Sequence, residues 1–193
     1  MSKTRMEAFS DGVIAIIITV MVLELHIPRG ADMTSLLSLM PVFFSYVLSF
    51  IFLGIYWSNH HHLLQAIKHV DGRVLWANLH LLFWLSLTPF VTGWMGENHF
   101  APLPVALYGV VLLLSAVAYF ILTRVLISVH GKDSVLATAM GSDFKGKISV
   151  VFYIAAIPLS FVSPWFACAI YVLVAIMWLV PDRRIEKAFI AAE

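Results

Sequence analysis

The sequence predicts an all-α integral membrane protein with six transmembrane helices, and three observations carry that prediction. Apolar residues make up 61% of the 193-residue chain. Only 12% is charged, about half the roughly 25% of a soluble domain. The apolar residues are gathered in runs of at least about 20 residues, the length of a membrane span, and the mean hydropathy is +0.93. Finally, 11 of the 12 basic residues fall on one side of the membrane when the runs are counted as six spans.

The first span is expected over residues 6–26, within "RMEAFSDGVIAIIITVMVLEL". It has no small-residue cleavage motif and its apolar stretch is of spanning length, so it reads as a helix rather than a signal peptide. The second runs over 35–64, the third over 73–95 and the fourth over 103–128. Residues 148–180 form one apolar stretch of 33 residues, too long for a single span of about 20. Pro158, Ser163 and Pro164 interrupt it and divide it into helices over 148–162 and 164–180. One side then holds Lys3, Arg5, Lys68, Arg73, Arg124, Lys132, Lys145, Lys147, Arg183, Arg184 and Lys187, and the other only Arg29. That asymmetry places both termini in the cytoplasm and the chain in a cell (inner) membrane, as a single multi-pass domain over residues 1–193 surrounded by lipid. Five spans would send "PDRRIEK" outside, against the same rule. The loop from Ser128 to Lys147 has room for one short helix in "DSVLATAM", capped by Asp133 or Ser134.

A net charge of +1 points to no nucleic-acid partner, and the single Cys168 sits in an apolar run as a small buried residue. Phosphate-binding loops, CxxC pairs and nucleophile elbows do not occur. The consecutive His60, His61 and His62 point about 100° apart on a helix, whereas helical metal sites use i, i+4 pairs, so no metal or cofactor is expected. With Tyr56 and Trp57, they read better as an interfacial belt.

The first helix carries the chemistry. At about 100° per residue, Gly12, Ile16, Thr19 and Leu23 fall in one stripe, with Val20 flanking it. Such a stripe can simply pack or face lipid, and a helical Thr commonly bonds its own backbone. Asp11 projects about 100° from the stripe and Ser10 nearly opposite to it. An ionisable residue within a span is costly unless paired, although at the start of a helix the dipole favours a negative charge. Arg5 is six residues away on another face, so each is expected to bond a neighbouring helix. "YWSNHH" ends the second helix and "WANLHLL" opens the third, at the level of Asp11. A polar network is therefore expected among Arg5, Ser10, Asp11, Trp57, His60 or His61, Asn78 and His80, joining the first three helices. A histidine there offers pH sensitivity near neutrality.

Arg5, Phe9, Ser10 and Asp11, followed by "GVIAIIITVMVLEL", closely resemble the first-helix signature of the endolysosomal potassium-channel family and its bacterial homologues. Length, span number, "YWSNHH" and "NLHLLFWLSLTPF" fit that family over most of the chain. The resemblance implies a single-repeat homotetramer whose four first helices line a central pore, permeable to K+ and to other monovalent cations, without a carbonyl filter loop. It places the apolar constriction five residues after Asp11, at Ile16, with a second ring at Val20 or Leu23 and Thr19 between. Phe9 and the other signature residues would hold interhelical contacts near the cytoplasmic entrance. A ring of four isoleucines can dewet and so gate. Potassium sheds water more readily than sodium, so weak to moderate K+ selectivity follows, with Glu24 at the mouth concentrating cations. A proton- or cation-coupled transporter is the alternative, but it would want midplane carboxylates or broken helices. The charges here cluster at span ends. No catalytic residues are expected.

Overall fold

The computed structural model describes residues 2–67, 69–131, 134, 136–137 and 143–179. Among them the helices are α1 (Lys3–Leu23), α2 (Met33–Leu37), α3 (Met40–Gln65), α4 (Gly72–Ser86), α5 (Thr88–Glu97), α6 (Pro102–His130), α7 (Phe144–Leu159) and α8 (Pro164–Leu179). Four stretches are long and apolar enough to cross a membrane: α1, α3, α4 with α5, and α6. Helices α7 and α8 have 16 residues each, about 24 Å at 1.5 Å per residue, and form a shorter hairpin. The chain is thus a multi-pass, all-helical membrane protein.

Local chemistry sets the boundaries. Ser2, Asp32 and Asp71 cap α1, α2 and α4 through side-chain oxygens that accept the backbone N–H of Arg5, Ser35 and Val74. Asp143 does the same for Gly146 at the start of α7, from a left-handed backbone with φ of 38°. Prolines open α3, α5, α6 and α8, where a missing N–H costs nothing.

Several expected boundaries need correction. The second span begins at Met40 rather than residue 35, because Asp32 caps a separate short helix and Pro41 restarts the chain. The third is broken at Leu87, since Pro89 lacks an N–H for the Leu85 carbonyl. Helix α7 starts at Phe144, so Lys145 and Lys147 lie within it rather than before it. The turn of residues 160–163 falls where Pro158 and Pro164 require. In the fourth loop, Ser134 accepts the Ala137 N–H, and Leu136 is fully buried. Lys68, Lys132, Asp133, residue 180, Arg183, Arg184 and Lys187 lie outside the described residues.

Two apolar cores hold the bundle. One joins α1, α3, α4 and α6 through Met6, Ile14, Leu63, Leu81 and Leu122. The other joins α3, α5, α6, α7 and α8 through Phe52, Met95, Tyr108, Tyr153 and Tyr171. Gly96 lets α5 approach α3: a Cβ there would lie 2.6 Å from both Ser45 Oγ and Val42 Cα. Helix α1 packs on α3, α4 and α5, and that leaves one of its sides exposed.

Candidate functional site

Two faces of α1 have opposite environments. Met6, Ser10, Ile14, Ile17 and Met21 are buried. They recur every three to four residues, which is one face of a helix. On the other side Gly12, Ile16, Thr19, Val20 and Leu23 are all exposed. Ile16 is 64% exposed and Leu23 76%, so the described residues leave most of each large apolar side chain uncovered. Thr19 Oγ1 donates to the Ala15 carbonyl at 2.8 Å, so its proton is spent on the backbone while its lone pairs face outward.

The buried face is held by a directed chain of hydrogen bonds. Ser10 Oγ donates to the Met6 carbonyl at 2.9 Å and accepts from Asn78 Nδ2 at 2.9 Å. That fixes Asn78 Oδ1 as the acceptor of His60 Nε2–H, at 2.7 Å. Ser10, His60 and Asn78 are each at most 1% exposed, so α1, α3 and α4 are joined by a dry polar bridge. His60 Nδ1 is buried without a partner among the described residues. About 100° round α1, Trp57 Nε1 donates to Asp11 Oδ1 at 3.0 Å.

Of the residues expected in one network, the structure therefore brings together Ser10, Asn78 and His60, and separately Asp11 and Trp57. His61 Nδ1 lies 3.1 Å from Glu7 Oε1 and its Nε2 accepts from Gln65 Nε2 at 2.8 Å. Arg5, Phe9 and His80 are not drawn in. Arg5 and Phe9 stand on the exposed stripe, because eleven and seven residues before Ile16 are near-whole numbers of turns. His80 accepts from Trp84 Nε1, one turn along its own helix. Sequence reasoning misses Glu7 and Gln65. The i, i+4 spacing of His61 and Gln65 is a usable signal, but nothing local pairs Glu7 with a residue 54 positions away.

At the other end of α1, Glu24 lies against α5, where a Cβ on Gly93 would be 3.3 Å from its Oε2. Partial desolvation, and then the Glu97 carboxylate, push Glu24 above the usual glutamate range. Among the described residues no three His, Cys, Asp or Glu side chains converge as a metal site. His60 and His61 instead face different neighbours.

Comparison with known proteins agrees on one family. Residues 5–89 match the family described as endosomal/lysosomal potassium channel TMEM175. A potassium channel of Chryseobacterium sp. (strain P1-3) is 56% identical over 188 residues, covering 97% of this chain and 98% of that one. A potassium channel of Chamaesiphon minutus is 29% identical over 187 residues, covering 89% and 91%. The fold resembles the crystal structure of a lysosomal potassium-selective channel TMEM175 homolog from Chamaesiphon minutus, with a TM-score of 0.80, 27% identity, and 93% and 97% of the two chains covered. With this fold match and near-complete coverage of a relative more than half identical, this chain belongs to the TMEM175 potassium-channel family.

Proposed function

We propose that the chain conducts K+ passively as a homotetramer of six-span subunits, each one domain over residues 1–193, with the exposed stripe of α1 lining the central pore. The observation that carries this reading is the split of α1 itself. An unpartnered apolar face with Gly12, Ile16, Thr19, Val20 and Leu23 in register stands opposite a face locked by buried hydrogen bonds. Lipid alone could cover such a face, but it would not call for a Gly and an outward-facing hydroxyl in line with the large residues. The named activity of the relatives, potassium channel, supports the same reading.

Ile16 and Leu23 are the constrictions. Four isoleucines around an axis exclude water when close and admit partly dehydrated ions when apart. Potassium gives up hydration more readily than sodium, and the outward lone pairs of Thr19 add ligands. Selectivity without a carbonyl cage is therefore weak to moderate, and other monovalent cations pass at lower rates. Glu24 stands beside the stripe rather than on it, and with Glu97 it makes the outer end negative. The polar bridges of Ser10 and Asp11 hold the wall and do not line it. The orientation places both termini in the cytoplasm of an inner membrane, with Lys3, Arg5, Arg73, Arg124, Lys145 and Lys147 on that side.

Reconstitution in liposomes tests the reading. Wild type passes K+ faster than Na+ without a counter-ion gradient, and Ile16→Asn, which wets the constriction, raises both fluxes and narrows their ratio. A wild type that passes no ions at any voltage sinks the proposal. Flux that saturates and requires a counter-ion gradient assigns the protein to coupled transport instead.

A further inference from the structure

We propose that a cavity between α3, α6, α7 and α8, to which α1 contributes no lining residue, binds an anionic glycerophospholipid. One acyl chain lies inside and the phosphate sits at Lys147. The cavity encloses about 310 Å³, the lower end of the roughly 300–1,000 Å³ of ligand sites and suited to one chain rather than two. Phe52, Ile55, Ala116, Val117 and Val150 form its apolar wall. Asp143 and Lys147, at the start of α7, border its polar end.

The charges at that end select an anion. Asp143 turns its carboxylate back onto the Gly146 N–H as the cap of α7, at 3.2 Å. Lys147 is exposed and makes no ion pair among the described residues. Lys145 sits over the Trp178 ring at 5.9 Å and Arg124 over Phe120 at 5.0 Å, and both rings line the cavity. Among the described residues, the exposed Lys147 and Arg124 thus stand at cavity-lining side chains whose one carboxylate, Asp143, is committed to its cap. A basic pocket between spans is the arrangement that holds anionic lipid headgroups.

The phenols distinguish a phospholipid from a simple fatty acid. Other tyrosines of the bundle are bonded: Tyr108 to Ser49 Oγ at 3.1 Å, Tyr171 to the Val105 carbonyl at 3.1 Å, and Tyr119, which also lines this cavity, to the Asn59 carbonyl at 3.3 Å. Tyr56 and Tyr153, which line this cavity, have no hydrogen bond among the described residues, and Tyr153 is only 3% exposed. A phenol that lines a cavity and has no protein partner is a donor for an oxygen of the occupant. The Tyr153 ring packs on Phe52 at 6.5 Å and Tyr171 at 6.2 Å between centroids, and it lines the same cavity that Lys147 borders. A glycerophospholipid places ester carbonyls one level below its phosphate, within reach of both phenols. A fatty acid has no acceptor below its carboxylate.

Native mass spectrometry of the full chain in detergent, after delipidation and titration with defined lipids, tests this. Wild type binds one phosphatidylglycerol per chain in preference to phosphatidylethanolamine. Lys147→Gln weakens that binding about fivefold, the worth of one lysine at an anionic surface, and Ala116→Trp, which fills the cavity, abolishes it. A diether phosphatidylglycerol, lacking the ester carbonyls, binds wild type more weakly than the diester, a comparison that needs no variant to fold. The proposal is overturned if wild type retains no phosphatidylglycerol, if folded Ala116→Trp binds it undiminished, or if diether and diester bind alike. Equal binding of oleate or of phosphatidylethanolamine overturns it as well. None of these readouts depends on ion conduction, so the pore reading stands or falls separately.

Discussion

Replacing Asn78 by leucine tests whether the bridge across α1, α3 and α4 is energetically connected. The side chain keeps nearly its volume, so the change removes two hydrogen bonds, to Ser10 at 2.9 Å and to His60 at 2.7 Å, without opening a cavity. Interhelical bonds within membranes average about 0.6 kcal/mol, so two account for ~1.2 kcal/mol. Ser10 keeps its bond to the Met6 carbonyl, but His60, already without a partner at Nδ1, loses Nε2 as well. A fully orphaned buried ring raises the cost into the ~1–3 kcal/mol range. The expected loss is about 2 kcal/mol, a factor near 30 in the folding equilibrium. Reversible unfolding in mixed detergent–lipid micelles measures it, with His60→Leu and the double variant completing a cycle. The double variant should recover part of the loss, because both orphans are gone, giving a coupling of about 1 kcal/mol or more. If Asn78→Leu stays within ~0.5 kcal/mol of wild type, or the single effects simply add, the bridge is a geometric coincidence.

Two further perturbations address the frame. Asp71 caps α4, and its bond from the Val74 N–H, helped by Arg73, holds its carboxyl below the usual aspartate range. A depressed folded-state value stabilises above the unfolded aspartate pKa and is lost as pH falls through the folded one, so the Tm of wild type drops on acidification below about pH 4. Asp71→Asn keeps the cap and flattens that part of the curve, and an unchanged profile refutes the assignment. Gly96→Ala forces a methyl into Val42 Cα and Ser45 Oγ, each 2.6 Å from where the new Cβ would stand. Overpacking of this kind costs about 1–3 kcal/mol, read in the same unfolding assay, and a neutral result means α5 slides freely on α3.

The sequence is most legible where a single period governs the environment. The 100° step that groups Gly12, Ile16, Thr19 and Leu23 is local, and the same four residues are exposed in the fold. It equally places Arg5 and Phe9 on that stripe. The pull of a family signature assigns them to the polar bridge instead, and there composition misleads where arithmetic does not. Ser10, Asn78 and His60 can be brought to one level because adjacent spans are antiparallel and each residue lies a known number of turns from a span end. Glu7 cannot be matched to His61 in this way, since both sit on interfacial turns with several polar neighbours. Hydropathy averages penalise the lysines inside α7 and so exclude them from the span. Their long stems let the ammonium reach the interface while the helix continues. The cavity beside α7 is invisible for a different reason: it is a gap among aromatic-rich surfaces, and no local pattern encodes a gap.

Asp11 and Trp57 decide whether the wall of α1 is merely present or also positioned. Ser10 ties α1 to α4 and Asp11 ties it to α3. The two anchors are about 100° apart on the helix, so together they resist rotation as well as translation. Rotation matters because Ile16 and Ile17 differ by the same 100°, and one is 64% exposed while the other is 5% exposed. Trp57→Phe keeps an aromatic ring and removes only the Nε1–H, releasing one anchor worth ~0.6–1.7 kcal/mol, a shift of about threefold to just under twentyfold in a two-state equilibrium. In single-channel recordings of the proposed pore, that shift appears in open probability, while unit conductance and the K+/Na+ ratio hold because the lining side chains are untouched. Asp11→Asn preserves an acceptor at Oδ1 and should lie near wild type. A Trp57→Phe channel with altered ion discrimination and unchanged open probability would mean that Asp11 shapes the ion path itself, and the division of α1 into a wall and its bracket would have to be abandoned.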